Sequence, residues 1–68
     1  MKVYVNDSLV HIFDGSKVGS AVLRYLLLQG QRPQDIDNYI IKDNHDNIVD
    51  KEGSLREGSR LYIESTNK

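Results

Sequence analysis

The densest run of side chains able to do chemistry is Asp43-Asn44-His45-Asp46-Asn47-Ile48-Val49-Asp50. Asp43, His45 and Asn47 stand at alternate positions, the spacing with which a calcium loop begins. Such a loop then requires glycine at its sixth position and glutamate at its twelfth, where this chain has Ile48 and Ser54. Asx side chains also favour tight turns by bonding to their own backbone, so the run reads as a hairpin turn without a metal. His11 and His45 are the two imidazoles. A hydrolytic site around either would need a nucleophile and a third, orienting group, yet Ser8 and Ser54, the nearby hydroxyls, fall where turn and strand-end serines commonly sit. There is no cysteine, which removes a thiol nucleophile, a disulfide framework and an iron–sulfur cluster together. Gly15, Gly30, Gly53 and Gly58 stand singly, so no phosphate-cradling loop can be built from them. No catalytic residue, metal or cofactor is assigned, and the chain is not expected to be an enzyme.

The elements that must position these residues are organised around one helix, read from Asp14 to Gly30. Val18, Ala21, Val22, Tyr25, Leu26 and Gln29 recur at helical spacing and form one face, apolar except at its end. Leu23 and Leu27 would widen that stripe. Ser16 is the expected N-cap, Gly30 the left-handed C-terminal residue, and Pro33 discourages a restart. Gly19 costs roughly 1 kcal/mol against alanine in a helix, for which close approach to a neighbouring strand would be the return.

Met1 to Val5 alternates, with Met1, Val3 and Val5 on one side and Lys2 and Tyr4 on the other, as a half-buried strand does. Asn6-Asp7 turns the chain into a return strand, Leu9 to Phe13, with Leu9, His11 and Phe13 outward if Val10 and Ile12 point in. Gln31 to Asn38 is a polar loop with room for one helical turn, with Ile36 as a plug against the core. Tyr39–Lys42 and Ile48–Asp50 are short strands, and Leu55 is an isolated apolar anchor. Arg60 to Ser65 is the last strand, with Leu61 and Ile63 inward and Tyr62 and Glu64 outward. Residues 1–65 make one domain, and 66–68 form a frayed polar tail. A lone hairpin is not stable in water, so the helix must cover a sheet. The expected fold is α+β: a β-grasp with a mixed sheet of four or five strands and one helix across one face.

At 68 residues, the chain is expected to bury only about 60% of the surface that unfolding would expose. Formal charge is −1 with the signs interspersed, which gives no electrostatic case for nucleic acid or an anionic membrane. No apolar run approaches the length of a membrane span. A cytoplasmic monomer is expected.

Three pieces resemble the ubiquitin-like β-grasp superfamily, in particular its small bacterial branch. They are Val3-Tyr4-Val5-Asn6-Asp7, Val10-His11-Ile12 leading into Asp14-Gly15-Ser16-Lys17-Val18, and Gly53-Ser54-Leu55-Arg56-Glu57-Gly58-Ser59-Arg60-Leu61-Tyr62-Ile63. The resemblance spans nearly the whole chain and implies the fold; the working residues of known branches are not present. Sulfur carriers of thiamin and molybdopterin synthesis end in Gly-Gly, where this sequence reads Ser65-Thr66-Asn67-Lys68. Ferredoxin-type relatives need four cysteines; nucleic-acid-associated members normally occur inside larger proteins, and nothing basic in this chain supports their role.

What remains is the outward face of the expected sheet. Tyr4, His11, Phe13 and Tyr62 would stand there among Lys2 and Glu64, with either Tyr39 or Ile41 joining from the third strand. Aromatic residues rimmed by charge concentrate contact energy at protein interfaces, and ubiquitin-like proteins are generally read by partners on this face. Cross-strand aromatic pairs also stabilise a thin sheet without a partner, by about 0.2–1 kcal/mol each. The expected function is a non-catalytic module that binds a protein partner through Tyr4, His11, Phe13 and Tyr62. The alternatives are a sulfur-carrier-type protein whose chain continues to a Gly-Gly end, and a small structural subunit of a larger enzyme complex.

Overall fold

The computed structural model describes residues 1–66. Strand β1, Lys2–Val5, pairs antiparallel with β2, Ser8–His11, setting Val3 opposite Val10 and Tyr4 opposite Leu9. The two connecting residues, Asn6 and Asp7, have φ of 50° and 66°, and Asx side chains tolerate this left-handed backbone better than most.

Helix α1 runs from Val18 to Leu28. It starts later than expected, and Ser16 does not cap it: Lys17 holds the N-cap position in extended backbone with no side-chain hydrogen bond. The first amides are satisfied from elsewhere in the chain. Val18 N–H donates to the Gly53 carbonyl at 2.9 Å, and Gly19 N–H to the Lys51 carbonyl at 2.7 Å. A helix leaves its first N–H groups unpaired, and here a later loop supplies the acceptors. Gly19 eases that approach, since a Cβ on it would stand 3.0 Å from Lys51 Cβ and 3.1 Å from the Lys51 oxygen, tighter than an ordinary contact. At the other end Gly30 has φ of 76°. Gly30 N–H donates to Leu27 and Gln31 N–H to Leu26, the paired bonds of a Schellman stop. Val18, Ala21, Val22 and Leu26 are buried with Tyr25 packed at the margin, while Leu27 is exposed and does not widen the stripe.

Within the expected loop, a 3₁₀ helix, Pro33–Asn38, supplies the helical turn and packs Ile36 against the core. Strands β3, Tyr39–Asp43, and β4, Arg60–Ser65, complete a sheet of order β2-β1-β4-β3. The central pair β1–β4 is parallel and both outer pairs are antiparallel. The chain is thus a small α+β fold with one α-helix and a four-stranded mixed sheet, compatible with a β-grasp. Ile48–Asp50 does not form a further strand. After one bridge between Lys42 and Ile48 and a bond from Val49 N–H to the Ile41 carbonyl, the chain turns away. There the Asp50 carboxylate accepts from Glu52 N–H.

Val3, Val5, Val10, Leu61, Ile63 and Ile41 meet the buried face of α1 in one apolar cluster. The register of β3 answers the question of its outward residues differently from the sequence reading. Ile41 pairs with Ile63 and is buried, and Tyr39 packs against the core, so Ile40 and Lys42 face outward. Thr66, assigned to the frayed tail, is tied by its N–H and hydroxyl to the Asn38 carbonyl at 2.7 and 3.0 Å. Asn67 and Lys68 lie outside the described residues. No helix among the described residues is long and apolar enough to cross a membrane.

Candidate interaction face

Strand parity dictates the composition of the sheet face turned away from α1. With Val3, Val5, Val10, Ile41, Leu61 and Ile63 directed into the core, the opposite face receives Leu9 and His11, Lys2 and Tyr4, Arg60, Tyr62 and Glu64, and Ile40 and Lys42, reading from β2 to β3. Tyr4 and Tyr62 are half-buried there despite facing away from the core.

Tyr4 and Tyr62 are not direct neighbours. The parallel register puts Arg60 beside Tyr4, and its guanidinium carbon lies 4.5 Å from the Tyr4 ring centroid. Cation–π contacts of this exposed kind contribute about 0.5–1 kcal/mol. Arg60 Nη1 lies 3.4 Å from Asp7 Oδ1, the same oxygen to which the Tyr62 hydroxyl donates at 3.1 Å. Asp7 reaches both because the tight turn after β1 projects it over β4. The turn is held at its root by Asn6, whose N–H donates to the Leu61 carbonyl and whose Oδ1 accepts from Ile63 N–H at 2.9 Å. The result is a continuous arrangement, Tyr4–Arg60–Asp7–Tyr62, fixed across strands β1 and β4 and the turn that follows β1. On its far side Lys42 Nζ is 3.4 Å from Asp46 and 4.0 Å from Glu64. At exposed positions such pairs add little stability, but they set where each charge stands.

The four residues singled out from sequence do not form one cluster. Tyr4 and Tyr62 belong to the arrangement just described. His11 ends β2 opposite Lys2. Phe13 lies beyond β2 and is 89% exposed, in a shallow groove with Ser16, Ser20 and Arg24 that His11 also borders. Arg60 and Asp7 were not singled out. Arg60 is legible as outward from its alternation with Leu61 and Ile63, whereas the part played by Asp7 depends on a contact spanning the length of the chain.

The acidic loop is an Asx turn. Asp43 Oδ1 accepts from His45 N–H at 2.8 Å and Asn47 N–H at 3.0 Å, and Asp46 takes φ of 66°. The Asn47 and then the His45 amide hold the Asp43 carboxyl below its ordinary 3.8. Its oxygen is thus committed to the backbone, and among the described residues no three His, Asp or Glu side chains converge as metal ligands. No protein-family model matches this chain, and no curated protein matches it significantly.

Proposed function

We propose that this chain is a ubiquitin-like β-grasp module that performs no catalysis and binds a protein partner through its open sheet face. The observation that carries this reading is the Tyr4–Arg60–Asp7–Tyr62 arrangement. It presents two aromatic rings and a cation in fixed positions on a face that no described element covers. Fixing such groups before binding lowers the entropy lost on association, and Tyr and Arg are the residue types that dominate interface energetics. Ile40 and Leu9 supply apolar area on either side, with Lys2, Lys42 and Glu64 as a charged rim. The sequence order of hairpin, helix and returning strands, with β4 parallel to β1, supports the β-grasp assignment.

The test is capture from native lysate with wild type and with Tyr4→Ala/Tyr62→Ala, followed by mapping the purified partner onto amide shifts. The expected result is a stoichiometric partner that the variant loses and that perturbs Tyr4, Ile40, Arg60 and Tyr62. A partner that is an adenylating enzyme and binds the variant equally well would instead favour the sulfur-carrier reading.

A further inference from the structure

The sheet also has an open edge, whose main-chain groups are distinct from the side chains that make the open face. The sheet has two outer strands, and the chain treats them differently. Along β3 the following segment covers the edge: Asn47 accepts from Asp43 N–H, Val49 N–H donates to Ile41, and Ile48 bridges Lys42. Along β2 no described element does the same.

The hairpin register shows which groups that leaves. Met1 and Ile12 exchange both main-chain bonds, at 2.8 and 3.0 Å. Since bonded and non-bonded pairs alternate in an antiparallel ladder, Val3–Val10 and Val5–Ser8 are bonded, and Lys2–His11 and Tyr4–Leu9 are not. The N–H and C=O of Leu9 and of His11 therefore point away from β1. Outer strands of monomeric proteins are commonly guarded by lysine, proline or a bulge. The four residues of β2, Ser8-Leu9-Val10-His11, contain none of these, and Leu9 is 45% exposed.

We propose that β2 pairs with β2 of a second copy, antiparallel about a two-fold axis at Val10. Three observations select a second copy. In that register Leu9 stands opposite His11 of the other copy, so each residue exchanges both its bonds and all the free edge groups are used at once. The strand carries no fixed charge, so meeting itself brings no like charges into opposition. The chain as a whole is near neutral, with formal charge −1, a state that permits self-association. The contact is isologous and closes on itself, joining two four-stranded sheets into one of eight. With only four residues a side it falls below the roughly 1,600 Å² of a standard interface, so the dimer is concentration-dependent.

The experiment is a series from about 10 μM to about 1 mM, a span suited to weak association, read by sedimentation and by amide hydrogen exchange. The expected result is a mass rising towards twice that of the monomer, with exchange at Leu9 and His11 slowing as it rises. His11→Pro removes an outward donor that β1 does not use, a substitution that an outer strand tolerates, and should hold the chain monomeric with its fold intact. Leu9→Lys, at an exposed position, should do the same by placing charge on the seam. A monomer throughout the series would overturn the proposal. So would a dimer that survives both variants, or protection of Leu9 and His11 seen only when a different extended peptide is added. Tyr4→Ala/Tyr62→Ala should leave the dimer unchanged, which separates this proposal from the face-binding one.

Discussion

Asp43 shows how one side chain can look like a ligand while serving its own backbone. Its carboxylate accepts from Asn47 and His45, and both bonds favour the charged form, lowering its pKa. A carboxyl whose folded pKa lies below its unfolded value contributes stability that is complete above the unfolded value. That contribution is lost as pH falls through the folded one. The turn should therefore stay closed down to about pH 3.8 and loosen below it. An NMR titration of the Asp43 carboxyl should give a midpoint below 3.8; a midpoint above it would contradict the turn geometry. Asp43→Asn should keep the turn, because an amide oxygen accepts the same bonds, while Asp43→Ala should speed amide exchange at His45 and Asn47. Gly19 makes the opposite point about reading residues singly. By helix propensity alone, Gly19→Ala would stabilise by about 1 kcal/mol. With a Cβ 3.0 Å from Lys51 Cβ and 3.1 Å from its backbone oxygen, it should instead push the 51–53 loop off the helix start and lower the urea midpoint.

At the scale of elements, the helix is where the apolar stripe meets the sheet, and Val22 lies at its centre, fully buried with Val3, Val5 and Val10. Val22→Asp places an unpaired carboxylate in that cluster, a change in the class that costs about 4–5 kcal/mol or more. A domain of this size has little more than that to lose, so circular dichroism should show it unfolded; a folded variant would refute the helix orientation. The orientation was legible because i, i+3, i+4 spacing states which residues share a face. The strands were legible for the same kind of reason, period two, and β4 was read at its observed bounds. What was not legible came from contacts between distant segments. Ser16 is a good local cap, but the Lys51 and Gly53 carbonyls reach the helix start first. Ile48–Asp50 has strand-like composition, yet the chain leaves β3 to supply those carbonyls. The choice between Tyr39 and Ile41 as the outward residue turned on a register that only pairing with β4 supplies, and that pairing turns both inward. On the candidate face, the outward direction of Tyr4, Tyr62 and Arg60 followed from alternation, while the pairing of Arg60 with Tyr4 and the part played by Asp7 had to wait for the parallel register that brings the first turn over the last strand.

For the molecule as a whole, the core is carried by residues apart from the open face, and face and edge share Leu9 and His11 but not Tyr4 or Tyr62, so the tyrosines can be changed with core and edge kept. Tyr4→Ala/Tyr62→Ala is the informative case because the tyrosines are half-buried and also engaged. Removing them forfeits one cation–π contact of about 0.5–1 kcal/mol and one exposed hydrogen bond of about 0.5–1.5 kcal/mol. Some apolar cover over the sheet goes with them. The sum, about 2–3 kcal/mol, is smaller than the 5 kcal/mol or more that holds an ordinary domain together, and none of the buried cluster is touched. The double variant should thus give a dispersed amide spectrum close to wild type, with a lower urea midpoint and an unchanged m-value. Its affinity for a face-binding partner should fall at least tenfold, equivalent to 1.4 kcal/mol. Loss of the folded spectrum would assign the tyrosines to stability and remove the reason for reading this face as a binding surface. A folded variant that binds its partner as well as wild type would move the interface elsewhere on the molecule. Only a variant that keeps its fold and loses its partner fits a sheet whose second face is kept open for recognition.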